Sequence, residues 1–260
     1  MADNLARAFR ILEFLVTRPE GASLSEIART LGIPNSATHR MLGELLEAGY
    51  VRHGAVGTAY VLTTQLVAVA FEHLARGGIV GVAQPILDRL AAETSELVRL
   101  ALVDGERLRW VAKAQGTRAG LRYDPEMGRE PTLSSMATGF AWLAGFPDDM
   151  VARLIRQQGF GDPATKGPKA PRTLEEVLVR VREAREAGYG LAIDCSALGI
   201  STIAIPVRPH PLEPVVAVMN ITGPTSRLPE ARLPALAALL KDAAAELADA
   251  LGKASTVTAR

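Results

Sequence analysis

Between Asn35 and Ala48 the stretch NSATHRMLGELLEA carries its polar donors on one side of a candidate helix. At about 100° per residue, Ser36, His39, Arg40, Gly43 and Glu47 fall on one side, and Ala37, Thr38, Met41, Leu42 and Leu45 on the other. Short hydroxyls and free amides near a helix N-terminus bind phosphate, and an arginine one turn further on can donate to guanine or to phosphate. Gly43 removes a side chain where such a helix would run closest to a duplex. The candidate DNA contacts are Ser25, Asn35, Ser36, Thr38, His39, Arg40 and Arg52. Thr38 is included for its hydroxyl near the helix start, although the same rotation sets it inward. The competing explanations are a solvated face of an ordinary three-helix unit and a winged helix used for protein contact.

A second set of polar residues interrupts an apolar strand. In Val218-Met219-Asn220-Ile221-Thr222, Asn220 and Thr222 share the face opposite Met219 and Ile221. Two such groups need partners, and a bound small molecule can supply them. A solvent-facing sheet, or contacts with Ser134 and Ser135 alone, would serve as well. Cys195, the one cysteine, could act as a hydrolase nucleophile helped by His210 or an aspartate, but a thiol needs an adjacent base and an oxyanion site. His210 sits in the turn Pro209-His210-Pro211, and nothing in the sequence brings the two together. A buried lone cysteine is ordinarily packing. The four histidines (His39, His53, His73 and His210) are scattered, and neither a P-loop nor a dinucleotide fingerprint occurs. No catalytic site, metal or cofactor is expected.

The elements that must position these residues follow from periodicity. Asn4 to Thr17 predicts a helix capped by Asn4, with Leu5, Ala8, Phe9, Leu12, Leu15 and Val16 at three- and four-residue spacing. Ser23-Leu24-Ser25-Glu26 predicts a capping box opening a short helix that ends at Gly32. The helix from about Asn35 stops at Gly49. Two alternating segments, Tyr50–His53 and Thr58–Leu62, predict a β-hairpin whose tip, Gly54 to Thr58, carries no cation. Three helices and a hairpin within about sixty residues make a winged helix-turn-helix. Thr64 to Arg76 predicts an amphipathic connector, with Leu66, Val69, Ala70 and Leu74 as a dimer surface, stopping at Gly77-Gly78. Beyond it come a helix over 82–94 and strands over 96–103 and 107–113, joined at Asp104-Gly105. Helices over 135–144, 148–157 and 174–187 follow, then strands over 190–194, 200–207 and 214–222 and a terminal helix over 229–251. Hairpin-linked strands with grouped helices argue an α+β domain with a mainly antiparallel sheet.

The 260 residues are 48% hydrophobic and 22% charged, enough for one large domain or two ordinary ones. That balance excludes collagen, disordered polyelectrolytes and small disulfide scaffolds. One cysteine fits a reducing compartment, and no apolar run reaches the ~20 residues of a membrane span, so a soluble cytoplasmic protein is expected. Net charge is +1, and residues 1–62 carry six arginines against six carboxylates. If this segment binds nucleic acid, its arginines must gather on one face.

Residues in both halves resemble the IclR family of bacterial transcriptional regulators. Leu24-Ser25-Glu26-Ile27-Ala28 and Leu31 through Leu42 resemble its second and third helices, and Glu47-Ala48-Gly49-Tyr50-Val51 with Tyr60-Val61-Leu62 its wing. Arg185-Glu186-Ala187-Gly188-Tyr189-Gly190, Gly199, Ala204-Ile205-Pro206-Val207 and Gly223-Pro224…Arg227-Leu228 resemble its effector domain, so the likeness spans about 220 residues in order. The resemblance implies an α+β chain with a winged helix-turn-helix reader (1–63), a connector helix (64–78), a GAF-like effector-binding domain (79–252) and a tail (253–260). A homodimer formed through the connector predicts a palindromic operator on double-stranded DNA; the resemblance implies a repressor and extends the homodimer to a dimer of dimers. The implied effector contacts are Ser134, Ser135, Met136, Ala137, Thr138, Asp194, Cys195, Ile200, Thr202, Asn220 and Thr222. Two departures bear on the ligand: Cys195 stands where the family usually has a glutamate ahead of Gly199, and Ser134 and Met136 where a small residue and a histidine are frequent. The implied cavity is less acidic than usual, suited to a small carboxylate or an aromatic ligand. Trp110 adds aromatic surface if it faces that cavity, though tryptophan is more often core.

Overall fold

The computed structural model describes residues 2–54, 58–77, 79–125, 127–210 and 213–258. Residues 55–57 of the expected hairpin tip, Gly78 of the expected boundary and the last two residues of the expected tail lie outside the described residues, as do the side chains of Leu74 and its neighbours through Gly77. The chain divides into two compact units, Met1–Arg76 and Gly77–Arg260. No helix among the described residues is long and apolar enough to cross a membrane.

The first unit runs α1 (Ala2–Val16), β1 (Ala22–Ser23), α2 (Leu24–Leu31), α3 (Asn35–Glu47), β2 (Val51–His53), β3 (Ala59–Leu62) and α4 (Gln65–Gly77). Among the described residues its three strands pair antiparallel in the order β1-β3-β2. Ile11, Leu12 and Leu15 of α1 pack with Ile27 of α2 and with Met41, Leu42 and Leu45 of α3. The buried stripe of α1 is rotated from the predicted one: Leu5, Phe9 and Val16 are exposed, and Ile11 takes the core position. α1 also begins two residues before Asn4, the expected cap. The strand β1 is not legible in the sequence, because two residues carry no period. It exists because Gly21, at φ +83°, brings the backbone so close to β3 that an added Cβ would lie 2.5 Å from the Tyr60 carbonyl oxygen. Leu66, expected on a dimer surface, packs instead into this core.

The second unit runs α5 (Ile79–Thr94), β4 (Leu97–Asp104), β5 (Arg107–Gln115), α6 (Ala137–Leu143), α7 (Asp148–Gln158), α8 (Leu174–Ala187), β6 (Gly190–Ile193), β7 (Ile200–Val207), β8 (Ala217–Pro224) and α9 (Leu233–Thr258). Five antiparallel strands form one sheet in the order β5-β4-β8-β7-β6. One face carries Val98, Leu100, Ile203, Ile205, Met219 and Ile221 against α5 and α9. The other carries Ala101, Trp110, Ala204 and Val218 against α6 and its neighbours. Covered on both sides, β8 is buried along its whole length, Asn220 and Thr222 included. Gly190 lets α6 lie directly on β6, since a Cβ there would come within 2.2 Å of the Ala137 carbonyl oxygen. The terminal helix extends through Thr258, so most of the stretch expected to be a tail is helical.

Candidate DNA-reading helix and buried polar site

In the first unit, Ser23 Oγ accepts from the Glu26 amide and starts α2. The reciprocal half of the predicted capping box is not made; Glu26 instead faces Arg18 at 3.6 Å. Gly32 closes α2 in the left-handed conformation at φ 64°. The chain turns through Pro34, and no side chain caps α3. Amides in its first turn are therefore left for an outside acceptor, at the positive end of the helix. Asn35, Ser36, His39 and Arg40 are all exposed. At Gly43 an added Cβ would meet nothing within 4 Å, so this glycine leaves room outside the fold rather than inside it.

Arg40 is not idle in the free protein: its Nη1 donates to Glu44 Oε1 at 3.0 Å, one turn along the same face. Reading a base requires giving up that exposed pair, a small cost of roughly 0.3–0.5 kcal/mol. Ser25 is exposed and lies 3.2 Å from Ser23 Oγ, while Arg52 donates to the His53 carbonyl at 3.1 Å. Thr38 is a correction. It is fully buried, and its hydroxyl donates back to the Pro34 carbonyl at 3.1 Å, so it shapes the start of α3 and cannot touch a duplex.

In the second unit, strand register gathers a polar group on the sheet face toward α6. Thr202 stands opposite Thr222, and their hydroxyls lie 3.1 Å apart. Asn220 Nδ2 donates to Thr138 Oγ1 at 3.1 Å, tying β8 to the first turn of α6. Ser134 and Ser135, just ahead of α6, are buried. Ile200 lies on the same strand face as Thr202, two residues away.

The other expected contacts are engaged elsewhere. Asp194 adopts φ 54°, and its Oδ1 accepts from the Gly199 amide at 2.7 Å, closing the turn between β6 and β7. Lys169 Nζ approaches its other oxygen at 3.6 Å. Cys195 Sγ donates to the carbonyls of Lys169 (3.2 Å) and Ile193 (3.4 Å). Burial pushes this thiol up, the opposite of what activates a nucleophile. Ala137 is packed where α6 meets β6, and Met136 is half-buried at the helix cap.

Sequence reasoning missed Arg99. It is 3% exposed, in the middle of β4, directly opposite Asn220 of β8 and so on the same sheet face. An extra residue in β5, Val111, lets Trp110 stand opposite Ala101. The indole then stacks on the guanidinium, with Cζ 3.9 Å from the ring centroid. Burial pulls Arg99 down to about 10, against the opposing pull of Tyr123 and Asp124, and it stays charged at neutral pH. A stacking gain of about 2 kcal/mol does not offset several kcal/mol of desolvation. The signal was present: one arginine inside Leu97-Val98-Arg99-Leu100-Ala101-Leu102-Val103 is a charge committed to a core. Among the described residues, four buried side-chain polar atoms have no hydrogen-bond partner: Arg99 Nε, Ser134 Oγ, Ser135 Oγ and Asn220 Oδ1. Arg99 and Asn220 are neighbours across one sheet face, and the two serines lead into the helix that covers that face.

Two family descriptions match this chain: the IclR helix-turn-helix domain over residues 4–54 and the bacterial transcriptional regulator IclR C-terminal region over residues 71–249. The chain is similar to the transcriptional repressor IclR of Escherichia coli (strain K12), with 26% identity over 96% of this chain and 90% of that protein. It is similar also to the HTH-type transcriptional regulator BhcR of Paracoccus denitrificans, with 31% identity over 94% of this chain and 85% of that one. Its fold matches the crystal structure of an IclR homolog complexed with 4-hydroxybenzoate from Microbacterium hydrocarbonoxydans, with a TM-score of 0.79 at 20% identity, covering 96% of this chain and 99% of that one. A winged reader followed by an α+β domain of this kind is a transcription factor's architecture, and the relatives named are regulators rather than enzymes: the chain belongs to the IclR family of transcriptional regulators.

Proposed function

We propose that this chain is a ligand-responsive repressor that reads DNA with residues 1–63, continues through a connector over 64–78 and senses a small organic acid or aromatic metabolite with the GAF-like domain over 79–252. A homodimer presents two copies of α3 to major grooves ~34 Å apart, or a multiple of that, on a palindromic operator. The observation that carries the DNA reading is the exposed, uncapped start of α3, with Ser36, His39 and Arg40 turned outward. Val67, Val69 and Phe71 of α4, each about half or more exposed, support dimerisation through the connector. The family likeness extends this to a dimer of dimers, working in the cytoplasm. The Escherichia coli relative is a repressor by name, which supports negative control.

The effector reading rests on the unpartnered polar atoms beneath α6, which a ligand would satisfy. The 4-hydroxybenzoate bound by the Microbacterium homolog supports an acid or aromatic of that size. Differential affinity of the ligand for two states of the protein then changes operator affinity, by ~5–150-fold for a coupling of ~1–3 kcal/mol.

Footprinting on the DNA upstream of the protein's own gene tests this. Two protected half-sites related by inverted symmetry are expected. Protection indistinguishable from that on random duplex contradicts the DNA reading. Titration of bound ligand against Asn220→Ala and Thr222→Val tests the site: both variants should bind more weakly, and wild-type titration curves from both would move the pocket elsewhere.

A further inference from the structure

We infer that Arg99 is the charge-recognition group of the effector site, so that the effector is a carboxylic acid whose carboxylate sits on this guanidinium and whose second polar group meets Asn220 and the Ser134–Ser135 hydroxyls. The inference rests on the effector reading above and deepens it by choosing an acid over a neutral aromatic. A guanidinium at 3% exposure needs an anion or a dense set of acceptors. This one has a tryptophan face against it, and its Nε has no acceptor. Asp124, the carboxylate that acts on it from nearby, is already engaged by Lys113 at 2.5 Å and Arg122 at 2.8 Å. Stacking on Trp110 fixes the plane of the guanidinium, and an arginine held flat offers its edge to a carboxylate as a two-pronged donor. The remaining unpartnered atoms are two hydroxyls and an amide oxygen. Those accept or donate to a hydroxyl or amide on the ligand's other end, and they give no reason to bind a second charge.

The test uses the whole 260-residue chain with acetate, lactate, benzoate and 4-hydroxybenzoate, each against its own primary amide. Binding is read by thermal shift and by fluorescence of the chain's two tryptophans, one of which is Trp110. At least one acid should bind at least about tenfold more tightly than its amide, the loss expected when a charge-assisted hydrogen bond is removed. Arg99→Met should erase that acid-over-amide preference, and Arg99→Lys should keep part of it. The lysine variant also preserves the test if the methionine variant fails to fold. An amide that binds as tightly as its acid, or a preference that survives Arg99→Met, overturns the role of Arg99 while leaving an effector site in place. No response to any acid or amide, in wild-type protein that still retains operator DNA, overturns both the acid assignment and the effector reading.

Discussion

Arg99 on β4 and Asn220 on β8 are cross-strand partners on the buried face of a sheet, and each carries a buried polar atom, Nε in one and Oδ1 in the other, without a hydrogen-bond partner. A fold optimised only for stability would not keep such a pair. Replacing Arg99 by methionine retains a long unbranched stem against Trp110 and removes an uncompensated charge. Without ligand, Arg99→Met should therefore be more stable than wild type by about 1–4 kcal/mol in urea unfolding. A clear loss of stability would mean that Arg99 is a structural cation after all.

A buried charge just ahead of β4 behaves in the opposite way. Glu96, 1% exposed, receives two hydrogen bonds from Arg227, at 2.6 and 2.7 Å. Gly223 is shaped to this carboxylate, since a Cβ there would fall 2.3 Å from Glu96 Oε2. Arg227 also donates to the Leu121 carbonyl at 2.9 Å, pinning the segment after β5. Arg227→Met should cost about 3–5 kcal/mol, because it strands a buried carboxylate. Arg227→Met with Glu96→Gln should recover part of that loss. Additive losses in the double variant would show that the two residues do not act as a pair.

The contact between α7 and α8 carries an ion pair that responds to acid. Arg182 donates to Asp148 Oδ2 at 2.8 Å and Arg185 reaches Oδ1 at 3.3 Å, and together they hold the Asp148 carboxyl below the usual carboxylate range, Arg182 most strongly. A carboxylate held low when folded contributes stability above its ordinary value near pH 4, and that contribution disappears as the pH falls through the lower folded value. Asp148→Asn should therefore flatten the acid limb of the stability curve below about pH 4. An unchanged acid limb would assign the sensitivity to other carboxylates.

What the sequence revealed, and what it hid, divides along physical lines. The bounds of α8 were readable because Thr173 and Glu176 form a reciprocal cap at one end and Gly188 takes φ 75° at the other; β7 was readable from its flanking turns. Local chemistry fixes such ends. Arg99 was missed because its meaning depends on strands more than a hundred residues apart pairing in one register. Asp194 and Cys195 were placed in the site by likeness, yet each is used up by backbone groups of its own turn and the neighbouring segment. Thr38 illustrates a milder failure. Helical rotation alone sets it inward, and its residue type tempted an outward role that the bond to Pro34 forbids.

On the exposed face of α3, Arg40 and Glu44 form a pair that a duplex contacting Arg40 would have to open. Arg40→Ala should weaken operator binding by ~1–3 kcal/mol if it reads a base. Glu44→Gln should strengthen it, by freeing Arg40 and removing a negative charge beside it. Equal affinity of Arg40→Ala and wild type would remove this residue from the reading face.

Sequence-selective binding is the claim everything else depends on, and fluorescence anisotropy measures it directly. Purified protein is titrated with a labelled fragment from upstream of its own gene and with a scrambled duplex of equal length, across a salt series. The expected result is a preference of at least about 10³-fold for the promoter fragment at physiological salt, with affinity for both duplexes falling as salt rises. Equal affinity for the two duplexes at every salt concentration would contradict it.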